Sequence, residues 1–295
     1  MQMKNEYRIM MDPEYRIGIH SFEKFSYIQY LIRICSRSEI VVDCTNTTYI
    51  SPAFATIFGS LPHYGNFYGK KVKIEYNKIF GKRYISDIGI DKYYNNTSDK
   101  SISNRAVAFS SVAWYEYEKN MMQGIDSILS QLPIEINEEE KGMFISILGE
   151  IFNNAKDHSG FQEDKNIRVY YCGYWNAKKD TYIVSISDTG FGISQNVSRY
   201  LNKEMTDANS LEWAFGDGNS TKNTAELDYT RGIGLNSLEK FIRKNNGILY
   251  VASGNAICKV GNSLKSIRTI EKPLKGTVYV FTIRVGNGKR RKLHM

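Results

Sequence analysis

Apolar residues recur along this chain with two spacings, and the switches between them mark out the elements. In FEKFSYIQYLIRICSR (22–37) they fall three and four apart, as on one face of a helix. YRIGIH (15–20) before it is strand-like. After it, EIVVDCT (39–45) is a short apolar strand, PAFATIFGSL (52–61) returns to helical spacing, and KVKIEY (71–76) alternates like a strand. This order predicts a small α/β unit with helices packed on a sheet. The polar run DKYYNNTSDKSISN (91–104) predicts a loop or linker, and YEKNMMQGIDSILSQLP (117–133) a helix that stops at Pro133.

From Asn137 the pattern sharpens. NEEEKGMFISILGEIFNNAKDHSG (137–160) opens on an Asn cap and acidic residues that suit a positive helix N-terminus, and closes at Gly160. IRVYYCGYW (167–175) and TYIVSISD (181–188), joined by the polar turn NAKKD, predict a hairpin. A long polar stretch from Ser194 to Thr230 follows. LNSLEKFIRKN (235–245) is then a helix closed by Gly247, and ILYVAS (248–253) and GTVYVFTIRV (276–285) finish as strands. The division expected is an α/β domain over 1–95, a linker and helical connector over 96–136, a second domain over 137–286 and a basic tail over 287–295.

Composition narrows the class. With 42% hydrophobic and 24% charged residues, the chain is not disordered, collagenous or membrane-embedded. No apolar run reaches the ~18 residues of a membrane span, and no leader pattern opens the chain. Four cysteines (Cys35, Cys44, Cys172, Cys258) lie far apart without metal-ligand spacing, so a cytoplasmic location without a structural metal is expected. The net charge of +8 makes phosphate-bearing partners worth weighing, but part of it sits in the terminal GKRRKLHM. Nucleic acid is therefore not excluded as a partner, and would show as affinity falling steeply with salt.

Three features carry candidate chemistry. Glu150, Asn154 and Asp157 lie four and three residues apart, so at ~100° per residue they share one helix face. That row borders an apolar stripe of Phe144, Ile147, Ile151 and Ala155 and suits an ion and a reacting water. Mg²⁺ takes few protein oxygens and keeps phosphates and waters, so one Asn carbonyl is a sufficient protein ligand. Second, the strand TYIVSISD runs into Asp188-Thr189-Gly190-Phe191-Gly192. An ionised carboxylate there accepts from an exocyclic amine such as that of adenine, and the glycines let backbone pass close to a flat ligand. Third, Arg231-Gly232-Ile233-Gly234-Leu235 opens a helix, where free N–H groups hold phosphates. Neither a Walker A loop nor a dinucleotide fingerprint is present. Taken singly, these features fit equally a solvated helix face, a strand-ending turn and a helix-packing loop.

In this order, E-x-x-x-N-x-x-D on a helix, D-x-G-x-G after a strand, a long polar loop, G-x-G-L at a helix start and a final strand opening with Gly276-Thr277 resemble the Bergerat ATP-binding fold. This is the GHKL superfamily of DNA gyrase, heat-shock chaperone, histidine kinase and mismatch-repair ATPases. The resemblance covers residues 137–285 and implies a two-layer α/β sandwich that binds ATP and Mg²⁺. It implies that Asn154 coordinates the metal, that Glu150 polarises the attacking water or hydroxyl, and that Asp188 binds the adenine amino group, helped through water by Thr277. Gly190, Gly192 and Ile193 would line the base pocket, with Asp157 near adenine or ribose. Gly232, Ile233, Gly234 and Leu235 would cradle the phosphates. The stretch from Ser194 to Thr230 corresponds to the family's mobile ATP lid, in which Ser220, Thr221 and Lys222 are candidates to meet the γ-phosphate, Lys222 as a catalytic point charge.

EIVVDCTNTTYISPAFATIFGSL resembles the STAS domain of anti-sigma antagonists and anion transporters. In signalling members a serine after an aspartate accepts phosphate. Here Ser51-Pro52 fills those two places, so a docking or regulatory role is expected instead. The functional expectation is an ATPase or ATP-driven conformational switch regulated through the N-terminal domain, with a protein partner and a homodimer both open. The alternatives are a serine/threonine protein kinase of the anti-sigma-factor type and a nucleotide-dependent binding module with negligible turnover. A histidine autokinase is disfavoured, since His20, His63 and His294 are poorly placed as acceptors.

Overall fold

The computed structural model describes residues 6–77, 87–95, 106–113, 117–133, 136–160, 164, 166–219 and 235–284, with the side chains of Asn95, Ala113, Asp157 and His158 outside the description. The fold is mixed α/β with three sheets. Strands β1 (Glu6–Met10), β3 (Glu39–Cys44) and β5 (Lys71–Tyr76) form a parallel sheet with β3 in the middle. Helices α1 (Ile19–Ile34) and α2 (Ala55–Asn66) make the crossovers, and β2 (Glu14–Tyr15) pairs briefly with β4 (Tyr49–Ile50). Every β3 residue from Ile40 to Cys44 is buried, the expected habit of a central parallel strand.

The remaining described elements are α3 (Ile90–Asn95), β6 (Ala106–Ala113), α4 (Tyr117–Ser130), α5 (Glu138–Ser159), β7 (Arg168–Asn176), β8 (Thr181–Asp188), α6 (Ile193–Leu201), α7 (Asp207–Ala214), α8 (Leu235–Lys244), β9 (Ile248–Val260) and β10 (Lys265–Arg284). The second large sheet has the order β6-β7-β8-β10-β9, antiparallel throughout. Strand alternation sends Tyr182, Val184, Ile186, Tyr279 and Phe281 into a core shared with α4, α5, α6 and α8. Ile183, Val278 and Val280 point the other way, into a core with α1, α2 and the parallel sheet. Because α2 lies between two sheets it is apolar nearly all round, with Ala53 to Leu61 all buried. A buried bond between Thr56 Oγ1 and Ser185 Oγ, 2.7 Å, crosses that seam.

Several elements differ from the sequence expectation. Helix α1 starts at Ile19, inside the strand-like YRIGIH, because the Ser21 hydroxyl donates to the Arg16 carbonyl and the Ser21 N–H to the Gly18 carbonyl, closing a turn. Asp91–Asn95, expected in a linker, belong to α3. The connector contributes β6 to the edge of the five-stranded sheet and α4 to its helical core, so these elements belong structurally with the C-terminal ones. The polar stretch after Gly192 is not one loop: its first part folds as α6 and α7, which bury Val197 and Leu211. Gly276 and Thr277 lie within β10 rather than opening it, since the strand begins eleven residues earlier at Lys265 and pairs with β9 through two register shifts. Among the described residues, no helix is long and apolar enough to cross a membrane.

Candidate nucleotide site

The long helix α5 sets the register of the site. Asn137 Oδ1 accepts the Glu140 N–H at 2.9 Å and Glu140 Oε2 accepts the Asn137 N–H at 2.8 Å, a reciprocal cap. With the start pinned, Glu150 is buried and Asn154 half-buried farther along the helix. Asp157 falls in the last turns, with its side chain outside the description. The helix ends at Gly160, whose φ of 82° is left-handed and whose Cβ position would lie 2.2 Å from the Phe191 ring. Glycine is required there on both counts.

The end of α5 meets the turn that follows β8. Phe191 donates its N–H to the Ser159 carbonyl at 3.1 Å. Gly190 approaches so closely that a Cβ would sit 2.2 Å from the Ser159 carbonyl oxygen. Thr189 extends the β7–β8 ladder, giving its N–H to the Arg168 carbonyl and accepting the Arg168 N–H on Oγ1, both at 3.1 Å. The two motifs, thirty residues apart in sequence, are thereby fastened together. Gly190→Ala is expected to destabilise the protein by about 1–3 kcal/mol, because the obstacle is main chain rather than a side chain that can swing away. An unchanged midpoint in denaturant unfolding would show that the contact is looser than described.

Asp188 is 4% exposed. Its Oδ1 accepts the Gly190 N–H at 2.8 Å and its Oδ2 the Thr277 N–H at 3.1 Å. Burial pushes the carboxyl up to about 7, although those two bonds and the nearby Lys275 ammonium favour its charged form. The Thr277 side chain adds a further bond that favours the charged form. Gly276, with φ 76°, packs so tightly that a Cβ would lie 2.1 Å from the Asp188 carbonyl oxygen. Ser253 on β9 knits the remainder: its Oγ accepts the Ile193 N–H at 2.8 Å and donates to the Gly276 carbonyl at 3.2 Å, and lies 3.4 Å from Thr277 Oγ1. Gly192, with φ 85°, sits under that hydroxyl, where a Cβ would come within 2.6 Å.

Thus Asp188, Gly190, Gly192, Ile193 and Thr277 form one continuous network, and the end of the helix bearing Glu150 and Asn154 abuts it. Leu235 is buried in the helical core with Leu238 and Phe241, which gives it a packing role. Ser220, Thr221, Lys222, Gly232, Ile233 and Gly234 lie outside the described residues. Ser253 and Lys275 are site residues the sequence did not single out; the polar Ser253-Gly254 break after the apolar ILYVA is the only local sign of the first. A cavity of about 420 Å³ lies between α5 and α8, lined by Met143, Ser146, Ile147, Lys240 and Phe241. At helical spacing, Met143 and Ser146 lead along the same α5 face to Glu150 and Asn154. Among the described residues, no cluster of three or more His, Cys, Asp or Glu could hold a metal ion.

No protein-family model and no curated protein matches this chain. The groups brought together are a buried carboxylate at a strand end, glycines packed against neighbouring main chain and the Ser253 hydroxyl, and a carboxylate and an amide on the adjoining helix.

Proposed function

We propose that the C-terminal half is a Bergerat-type (GHKL) domain that binds Mg-ATP, and that the protein is an ATPase or ATP-driven switch. Its N-terminal α/β unit, read as STAS-like, serves as the regulatory partner domain. The observation that carries this is Asp188, a carboxylate sealed from water at a strand end, held by two main-chain N–H groups and flanked by glycines that no side chain could replace. Such a group suits one exocyclic amine and little else.

In this reading Asp188 accepts from the adenine amine while Gly190, Gly192 and Ile193 floor the base pocket, and Thr277 reaches the ring through water. Glu150 takes the proton of the attacking water. Asn154 directs its carbonyl oxygen toward Mg²⁺, which neutralises phosphate charge when bound. Gly232, Ile233 and Gly234, which precede α8 in sequence, and Leu235, its first residue, offer N–H groups to the phosphates, and Ser220, Thr221 and Lys222 meet the γ-phosphate. In the STAS-like loop the acceptor place is Pro52, which has no hydroxyl to phosphorylate, and this fits docking better than phosphorylation. A second reading is phosphoryl transfer to a serine or threonine of a partner, with Glu150 accepting the proton of that hydroxyl instead of a water's.

Calorimetry tests the nucleotide reading. Mg-ATP is expected to bind, with affinity falling about tenfold or more when EDTA removes the metal, equivalent to ~1.4 kcal/mol. Asn154→Ala should show a similar loss and no added effect of EDTA. Binding that ignored both changes would remove Asn154 from the metal shell, and no binding would end the nucleotide reading. Phosphate release, followed by a labelled-ATP screen with cellular proteins, separates hydrolase from kinase.

A further inference from the structure

Lys275, just before Gly276 and Thr277, is gripped twice by the N-terminal unit. Its main-chain N–H donates to Gln29 Oε1 of α1 at 3.1 Å. Its ammonium lies 4.8 Å from the centroid of the Phe67 ring, at the end of α2. Gln29 is 5% exposed, so its amide is committed to the interior. Both contacts fall where β10 leaves regular pairing with β9, between Leu274 and Thr277. A bulge takes residues out of the ladder, and a buried N–H without an acceptor is costly. Gln29 supplies that acceptor from the other unit.

What the bulge positions is the carboxylate. Gly276 lies against the Asp188 carbonyl, and Thr277 gives its N–H to Asp188 Oδ2. If Lys275 moves, both contacts move with it. We propose that Gln29 and Phe67 are positioning residues through which the N-terminal unit sets the affinity of the Asp188 site for its nucleotide, by fixing the Lys275 bulge. This rests on the nucleotide reading above. It makes the coupling reciprocal: whatever α1 contributes to binding, binding returns to α1 as added protection.

The test uses the full chain, with Mg-ATP as the probe. Gln29→Met keeps length and apolar volume but removes the acceptor, whereas Gln29→Glu keeps an acceptor oxygen. Gln29→Met is expected to weaken Mg-ATP about fivefold to tenfold with turnover of the bound nucleotide unchanged, and Gln29→Glu to stay within about twofold of wild type. Phe67→Leu should cost about twofold to fivefold. In the wild type, saturating Mg-ATP should slow hydrogen exchange of the amides of Ile19–Ile34. If the wild type binds but Gln29→Met binds equally well, the inference is wrong and the nucleotide reading stands. Unchanged α1 exchange on binding also overturns it, and needs no variant to fold. A wild type that does not bind Mg-ATP removes the nucleotide reading itself.

Discussion

Asp188→Asn is expected to weaken Mg-ATP binding by about fivefold to a hundredfold. The substitution has two effects. Toward the protein, both carboxylate oxygens accept main-chain N–H groups, from Gly190 and Thr277, so an amide must turn its NH₂ against one of two donors. Toward the ligand, the adenine amine loses an acceptor. The lost ligand contact is worth about 1–3 kcal/mol in binding, a factor of about five to a hundred, while the turned NH₂ is present with and without nucleotide and shows as lost stability. Calorimetry decides, and an Asn variant that bound like wild type would remove Asp188 from the base pocket. The same group gives a pH signature. Its folded-state value, raised by burial to about 7, means the folded protein keeps a proton that the unfolded chain has lost above about 4. Its contribution to stability is therefore full at low pH, declines as pH rises through that window and is level above about 7. Binding an amine donor favours the ionised form, so adenosine, which has no titrating phosphate, should bind more tightly as pH rises toward 7 and then level off. Asp188→Asn should flatten that profile.

What could be read in advance divides by sequence separation. Helix α5 was legible at both ends because its signals are local: the Asn137–Glu140 cap spans four residues and Gly160 must be left-handed. Asp188, Gly190 and Gly192 were legible as a motif, since strand, carboxylate and glycines are contiguous. The braces of the site were not. Ser253 reaches Ile193 across sixty residues and Gln29 reaches Lys275 across 246, and neither pairing leaves a local pattern. Gln29 did leave a trace: it occupies a core position in the row Phe22, Phe25, Gln29, Ile32, where a polar residue needs a buried partner. Helices α6 and α7 were hidden by polar composition, although Ile193 and Val197 are one helical turn apart and both buried. Strand β6, AVAFSSVA, became a strand by joining the edge of a sheet whose other members lie far downstream.

Glu150→Gln is expected to lower turnover about 10²- to 10⁴-fold while leaving Mg-ATP affinity within a few-fold of wild type. The reasoning starts from placement. Glu150 is only 8% exposed and lies one helical turn before Asn154 on α5, the helix whose end packs on the Asp188 turn. The glutamine keeps shape and hydrogen-bonding capacity but cannot accept the proton of an attacking water, so it removes the chemical step and spares the binding contacts. Glu150→Ala should lose turnover to a similar degree and, by leaving a void beside Ile151, lose some stability as well. Single-turnover kinetics at saturating Mg-ATP separate the chemical step from binding. A Gln variant that turned over at the wild-type rate would place the base elsewhere. A wild type that bound Mg-ATP and slowed exchange in α8 without releasing phosphate would favour the switch over the hydrolase, because a protein that only changes surface needs the carboxylate for shape and not for proton transfer.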